Sequence, residues 1–251
     1  MYIKGKTLRH TSYFHLSIEE ERSHRALENA ILRAVNYAFE EEKIDRKKPT
    51  HFSILDVGSG RGEIMKILSS HKYDVQGLDI DPICVELSKR YGPCKLGTIE
   101  ELDSFFPRAY FTLVIASHIL EYCPNPKLAM EKMKTVSKRW ILVAVLNLSN
   151  INSLIESIFK ISGIANPSHL HGWNYPHLKN FLEIHCNLEI VKWEKDIIKI
   201  VRCPSTFRPI QNIYRLFTYL LRPLEMKILP TLFPFLSTSL IALCKKRRDG
   251  P

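Results

Sequence analysis

The segment Ile54-Leu-Asp-Val-Gly-Ser-Gly-Arg-Gly62 decides the fold, because a short apolar stretch runs directly into three closely spaced glycines. The residues from His51 to Val57 are apolar and β-branched enough to predict a buried strand. Gly58, Gly60 and Gly62 permit a tight turn in which backbone N–H groups come close to a ligand before a helix begins. The segment therefore predicts a strand, a ligand-binding turn and a helix.

Strand and helix patterns alternate on both sides of this segment. Apolar, β-branched runs predict strands at 51–57, 74–79, 94–97, 111–116, 140–146, 188–193 and 239–244. Helical spacing of apolar residues predicts helices at 17–43, 62–70, 82–91, 126–137, 151–159 and 175–185. Such alternation is typical of an α/β fold. We predict a doubly wound, mainly parallel, seven-stranded Rossmann-like sheet with helices on both faces.

The same pattern divides the chain into three parts. Residues 1–50 form an N-terminal helical extension, and residues 51–200 form the core that contains the sheet. Residues 201–251 comprise an apolar, lid-like segment, a closing strand and a basic tail.

A second carboxylate follows the next predicted strand. Asp79 lies 19 residues after Gly60, where a carboxylate accepts hydrogen bonds from both hydroxyls of a ribose. A dinucleotide fold requires glycine at position 63, where this chain has Glu63. Asp56 beside the turn would repel a pyrophosphate but attract an ammonium group. The pattern favours S-adenosylmethionine (SAM) over a pyrophosphate cofactor.

Three motifs carry a family resemblance. Residues 54–62, Gly77-Leu-Asp-Ile-Asp81 and Phe111-Thr-Leu-Val-Ile-Ala-Ser-His-Ile-Leu-Glu121 resemble successive motifs of class I SAM-dependent methyltransferases. The small-molecule branch of methyltransferase type 11, which includes quinone-biosynthesis enzymes, is the most similar. The resemblance covers residues 52–147 well and residues 171–193 more loosely.

The resemblance implies a cofactor site along the ends of the first four strands. The residues implied to contact SAM are Asp56, Gly58, Ser59, Gly60, Asp79, Ile80, Thr98, Ile99, Glu100 and Ser117. Within this set, the first four contact the methionine end, Asp79 the ribose and Ile80 the adenine. The family often has Asp directly after the glycine of the third strand, whereas Thr98 follows Gly97 here. The adenine contact then passes to a hydroxyl, to a backbone group or to Glu100.

Two histidines are candidates for proton transfer. His118 follows the fourth strand, where α/β sheets bind ligands, and the resemblance also implies that it closes the cofactor site. His171 follows the fifth strand, and many small-molecule relatives carry a histidine in the corresponding loop. Imidazole removes protons efficiently near neutral pH. Each histidine also has a plain interpretation as a surface or capping residue.

The C-terminal region has two interpretations. Residues 214–243 are rich in Leu, Phe, Ile and Pro, and the charge-free run 228–244 is shorter than the roughly 20 residues of a spanning helix. It is interpreted either as a lid over the acceptor pocket or as a peripheral membrane contact through 211–248. Because the six cysteines are scattered and the N-terminus has no apolar signal segment, we expect a cytoplasmic protein without structural zinc.

The methyl acceptor remains open at this stage. We expect a small-molecule or lipid-linked acceptor, methylated at oxygen. A net charge of +10 keeps an RNA or protein methyltransferase as an alternative, although no Asn-Pro-Pro-aromatic run follows the fourth strand and nucleic acid is disfavoured. A SAM-binding partner subunit without activity is a further alternative.

Overall fold

The computed structural model describes residues 18–45, 47–151, 168–198, 219, 221 and 223–247. Its helices are α1 (Ile18–Glu41), α2 (Glu63–Ser70), α3 (Pro82–Ser88), α4 (Leu102–Phe105), α5 (Pro126–Val136), α6 (Tyr175–Asn180) and α7 (Leu229–Leu232). Its strands are β1 (Ser53–Val57), β2 (Asp74–Asp79), β3 (Cys94–Leu96), β4 (Phe111–Ser117), β5 (Ser137–Leu146), β6 (Leu188–Glu194) and β7 (Ser239–Lys246). A π-helical turn continues α6 at Phe181–His185, and another precedes α7 at Leu224–Ile228.

The seven strands form one sheet in the order β3-β2-β1-β4-β5-β7-β6. Strands β1 to β5 pair in parallel, and β7 lies antiparallel to both of its neighbours. The central strands β1, β4 and β5 are largely apolar on both sides, as expected where both faces of the sheet are covered. The carboxyl ends of β1, β2, β3, β4, β5 and β6 therefore meet at one edge of the sheet. The predicted doubly wound, mainly parallel fold is confirmed.

Helices cover both faces of the sheet, and successive strand residues point to opposite faces. Ile54 packs with α1 and α2 in one hydrophobic core, whereas Leu55 packs with α4, α5 and α6 in the other. This alternation follows from the period of two residues in a strand. In α1, the buried side chains are Ala26, Ala30, Ile31, Ala34, Val35, Ala38 and Phe39.

Several predicted boundaries are corrected by the structure. The helix predicted at 82–91 ends earlier, at Ser88, with Lys89 as its C-cap. The strand predicted at 140–146 begins earlier, at Ser137. The Ser137 hydroxyl is buried there because it donates a hydrogen bond to the Trp140 carbonyl and so has a partner. The short helical turns between Ile99 and Phe105 were not predicted, because they lack a full helical period.

The segment before β7 is tied to the N-terminal helix. Glu225 is 1% exposed, and its carboxylate forms an ion pair of 2.5 Å with Arg22 of α1. Its backbone carbonyl accepts a hydrogen bond from the Ile198 N–H. The strand predicted at 239–244 is confirmed as β7, while Ser17, the helical stretch predicted at 151–159 (except residue 151) and residues 201–218 lie outside the described residues. Within the described ranges, no helix is both long and apolar enough to cross a membrane.

Candidate active site

The glycine-rich turn joins the carboxyl end of β1 to α2. The Gly58 and Ser59 N–H groups both donate to the Leu78 carbonyl of β2, at 2.7 and 3.1 Å. Gly58 has φ +70°, and a Cβ there would overlap the side chain of Ile119. Gly62 has φ +85° and caps α2 from the left-handed region. The turn therefore requires glycine for both its backbone conformation and the close approach of a neighbouring loop.

Asp56 is a buried carboxylate with no partner among the described residues. It is fully buried at the end of β1, and neither side-chain oxygen forms a hydrogen bond. Burial raises its pKa well above the ordinary value, and the nearby carboxylates of Asp79 and Glu63 raise it further. An unpaired buried carboxylate of this kind costs stability unless a cation binds beside it. The ammonium group of a methionine moiety has the required charge and hydrogen-bond donors.

Asp79 ends β2 and closes the other side of the turn. Its carboxylate accepts the Gly60 N–H at 2.7 Å and the Asp81 N–H at 2.9 Å. Burial raises its pKa, and these two hydrogen bonds partly offset the effect of burial. Each carboxylate oxygen has a further lone pair that is able to accept a ribose hydroxyl. Ile80 is 67% exposed beside it, so an apolar surface is available for a base.

The third strand brings the next predicted residues to the same edge. The Gly97 N–H donates to the Asp79 carbonyl at 2.9 Å, which places the turn after β3 beside Asp79. Thr98 donates its hydroxyl to Glu101 at 2.8 Å, Ile99 is buried, and Glu100 is half-buried. The Thr98 hydroxyl proton is thus used within the turn.

Ser117 and His118 follow at the end of β4. Ser117 is half-buried, and the His118 N–H donates to the Ala144 carbonyl of β5 at 2.8 Å. The His118 ring lies between two other side chains, with Nδ1 3.4 Å from Glu121 Oε1 and Nε2 3.4 Å from Ser239 Oγ. His118 therefore contacts the loop after β4 and the start of β7 together.

His171 reaches this region through the loop at 168–174. The Leu170 and His171 N–H groups both donate to the Glu121 carbonyl, at 2.7 and 3.2 Å. The Leu148 N–H donates to the Trp173 carbonyl at 2.8 Å, which joins the loop to the end of β5. Three buried polar atoms here lack a partner in the described structure, namely Glu121 Oε2, His171 Nε2 and Trp173 Nε1.

The predicted residues thus come together at the carboxyl edge of the sheet. Three residues of this edge were not predicted as site residues: Glu121, Asp196 and Ser239. Glu121 is the last residue of the third motif and is 1% exposed in the structure. An acidic residue shortly after an apolar strand was the sequence signal that could have identified it as a site residue. Asp196 and Ser239 carried no such signal, because their position depends on the placement of β7 beside β6.

The residues present fit SAM in charge and shape. Asp56 supplies an unpaired carboxylate, the glycine turn supplies a close backbone, and Asp79 supplies lone pairs beside the exposed Ile80. These features fit an ammonium, a ribose and a planar base, in that order along the edge of the sheet.

Comparison with known proteins agrees with this geometry. Residues 55–140 match the family model described as "Methyltransferase domain". A search of curated proteins finds no match.

Solved methyltransferases share the fold at low sequence identity. The magnesium protoporphyrin IX methyltransferase of Synechocystis with bound S-adenosylhomocysteine is 8% identical, with a TM-score of 0.60 over 93% of this chain and 89% of that chain. A SAM-dependent methyltransferase of Thermotoga maritima is 13% identical, with a TM-score of 0.55 over 91% and 95%. A methyltransferase of Haloferax volcanii in complex with the Trm112 activator is 15% identical, with a TM-score of 0.53 over 78% and 83%.

Proposed function

We propose that the chain is a class I methyltransferase that uses SAM as its methyl donor, and that it methylates an oxygen of a small-molecule or lipid-linked acceptor. We further propose that His171 removes the acceptor proton. Asp56, Gly58, Ser59, Gly60, Asp79, Ile80, Thr98, Ile99, Glu100 and Ser117 are the residues proposed to hold the cofactor.

One observation supports an acceptor with a protic group. The buried Nε2 of His171, Oε2 of Glu121 and Nε1 of Trp173 have no partner among the described residues. Buried polar atoms are nearly always hydrogen-bonded, and leaving one unpaired costs about 1–3 kcal/mol. An acceptor hydroxyl that donates to His171 would offset this cost. Glu121 and Trp173 offer one acceptor and one donor for other polar groups of the same molecule.

The chemistry requires alignment more than activation. When bound, SAM would supply an electrophilic methyl group on its sulfonium sulfur; the acceptor oxygen would bond to that carbon in line with the C–S bond, which breaks to leave S-adenosylhomocysteine. The protein holds the acceptor near the carboxyl ends of β4 and β5, where buried apolar residues exclude water. His171 accepts the hydroxyl proton at Nε2, and this increases the nucleophilicity of the acceptor oxygen. Asp56 fixes the methionine end of the cofactor and takes no part in proton transfer.

A lipid-linked acceptor is supported by a cavity outside the cofactor site. A cavity of about 980 Å³ lies between α1, the end of β6 and the segment that contains Pro223 and Thr231. Leu32, Met226 and Pro230 contribute apolar side chains to its lining. The lining also contains charged residues, namely Arg33, Lys192, Glu194, Lys195, Asp196 and Lys227. Its volume falls within the usual range of small-molecule pockets. An elongated apolar tail would occupy this space while the acceptor oxygen lies near His118.

We also propose a peripheral membrane contact through residues 211–248. Ile228, Leu232 and Phe233 are each more than half exposed in the described part of this segment, and Lys227 is exposed beside them. Apolar side chains next to a cation are typical of segments that lie at a membrane surface.

The acceptor class is tested by following the methyl group. The enzyme is incubated with methyl-labelled SAM and an extract of the source organism, and the products are separated into organic-soluble, small polar and macromolecular fractions. Label in the first two fractions supports the proposal. Label confined to RNA or protein contradicts it and favours the alternative of a macromolecular acceptor.

The role of His171 is tested with the fraction that accepts the label. We expect His171→Ala to lower turnover by about 10²–10⁴-fold, the usual contribution of a general base, with SAM affinity unchanged. His51→Ala, which removes an exposed histidine before β1, is the matched control. Unchanged turnover of His171→Ala would remove this residue from the mechanism.

A further inference from the structure

The backbone at His118 is held in an unusual conformation. His118 has φ +55°, a left-handed conformation that residues other than glycine adopt at an energetic cost. Its N–H is bonded to Ala144 of β5 at 2.8 Å. Such conformations persist where the surroundings over-determine them, and they cluster at functional sites. The His118 backbone is therefore held in place at the carboxyl end of β4.

Both ring nitrogens of His118 face oxygen atoms. Glu121 Oε1, which lies 3.4 Å from Nδ1, also accepts the Leu146 N–H at 2.6 Å. An ionised carboxylate has lone pairs and no proton, so this contact is satisfied when Nδ1 carries hydrogen.

The second nitrogen faces a hydroxyl whose proton is already used. The Ser239 N–H donates to Asp196 Oδ1 at 3.2 Å, and the Ser239 hydroxyl donates to the same carboxylate. Because a serine hydroxyl has one proton, its oxygen is then an acceptor for a hydrogen on His118 Nε2. Burial raises the pKa of Asp196, and the hydrogen bonds from Ser239 and the Ile197 backbone partly offset this effect.

We propose that Asp196 is a positioning residue that acts through Ser239, together with Glu121, to fix the His118 ring as a doubly protonated cation at the acceptor side of the site. Asp196 reaches the His118 ring through Ser239 rather than by direct contact. The two carboxylates belong to different elements, since Glu121 follows β4 and Asp196 follows β6. Both carboxylates interact with His118 in the described structure.

This role of Asp196 rests on the proposed methyl transfer, which identifies the region around His118 as the acceptor side of the site. A fixed imidazolium at this edge attracts an acceptor that carries an ionised oxygen, such as a carboxylate, in addition to the hydroxyl that is methylated. It also assigns different tasks to the two histidines. His118 provides a positive charge that binds and orients the acceptor, whereas His171 takes the proton.

The protonation of His118 is measured directly by NMR. Protein labelled with ¹⁵N-histidine is saturated with S-adenosylhomocysteine, and its ring nitrogens are recorded at a fixed, neutral pH. His118→Gln identifies the signals. We expect both His118 nitrogens to have imidazolium shifts in the native protein, and to move toward a neutral tautomer in Asp196→Asn and in Ser239→Ala.

A control variant distinguishes the loss of the Ser239 hydroxyl from a general disturbance of this region. Thr238→Val removes a neighbouring hydroxyl that donates to the Ile197 carbonyl, and it should leave the His118 signals unchanged. A neutral ring in the native protein, or unchanged signals in Ser239→Ala, overturns the proposal. S-adenosylhomocysteine affinity is measured by calorimetry on the same samples. Retained affinity in Ser239→Ala shows that any change at His118 is not a loss of the cofactor site.

The ligand class is tested with two probes of similar shape. Millimolar benzoate should shift the His118 signals in the protein saturated with S-adenosylhomocysteine, and benzyl alcohol should shift them much less. An equal response to both probes, or no response to benzoate, contradicts recognition of an ionised oxygen. If the label-transfer experiment fails while the ring is still doubly protonated, the acceptor class is wrong and the positioning role of Asp196 stands.

Discussion

Replacing Asp56 by Asn should strengthen the ligand-free fold and weaken cofactor binding. Asn has nearly the same shape as a protonated carboxyl group but cannot ionise. Both oxygens of Asp56 are buried without a partner in the described structure, and burial and two nearby carboxylates raise its pKa. The substitution therefore removes a charge that the ligand-free protein holds at a cost and that, in the proposed function, pairs with the ammonium of SAM.

The substitution should lower the affinity for SAM and raise the free energy of unfolding of the ligand-free protein. A hydrogen bond to a charged group contributes about 1.5–3 kcal/mol, so loss of the carboxylate should weaken SAM binding roughly 10- to 150-fold. An unpaired buried polar group costs about 1–3 kcal/mol, and the variant should recover part of this in the free energy of unfolding. For a chain of this size, each kcal/mol corresponds to about 2–4 °C in the melting temperature.

The effects of Asp56→Asn on stability and on SAM affinity should both depend on pH. A carboxyl whose pKa is raised in the folded state contributes its stabilisation below the pKa of the unfolded chain. That contribution is lost as pH rises through the folded-state pKa. The advantage of Asp56→Asn should therefore be small in acid and grow toward neutral pH. SAM affinity of the native protein should rise over the same range, because ammonium binding favours the ionised carboxylate, and it should be flat for the variant.

The assays are thermal unfolding without ligand and calorimetric titration with SAM across this pH range. Asp74→Asn is the matched control, since it removes an exposed acid at the opposite end of β2. Native-like SAM affinity together with an unchanged melting temperature in Asp56→Asn would refute the reasoning.

Three further predictions concern other contacts of the described structure. Gly58→Ala should reduce SAM affinity and lower stability by about 1–2 kcal/mol, measured by calorimetry and urea unfolding, because alanine is strained at φ +70°. Glu42→Ala should cost about 1–3 kcal/mol in urea unfolding, since Glu42 accepts the indole N–H of the fully buried Trp140 at 2.7 Å; removal of an exposed glutamate on α3 should cost far less. The double variant Leu232→Ser, Phe233→Ser should lose co-sedimentation with anionic vesicles while retaining SAM affinity, and equal sedimentation would count against membrane contact.

The cofactor side of the site was predictable because its determinants are local. Asp56 and the glycines form one strand and one turn, and Asp79 ends the adjacent strand, so their meeting follows from parallel pairing of β1 and β2. The left-handed angles of Gly58 and Gly62 agree with the glycine pattern. Sequence spacing alone was sufficient for these contacts.

The acceptor side was less accessible because its contacts cross distant parts of the chain. Ser239 meets His118 only because β7 lies between β5 and β6, and no local pattern specifies that order. The orphaned Nε2 of His171 depends on how the loop at 168–174 bonds to Glu121. Periodicity predicts that strands exist, but their lateral order depends on packing across the whole sheet.

The position of β7 also has a consequence for how the protein folds. Leu146 of β5 pairs with Ser239 of β7, and β6 pairs with β7 rather than with β5. Until β7 inserts, β5 and β6 each present an open row of backbone donors and acceptors that another chain is able to pair with. Closure of the sheet requires contacts between residues far apart in sequence, which form slowly. Substitutions that delay β7 insertion should therefore reduce the soluble yield through intermolecular strand pairing, even where they leave the finished structure unchanged.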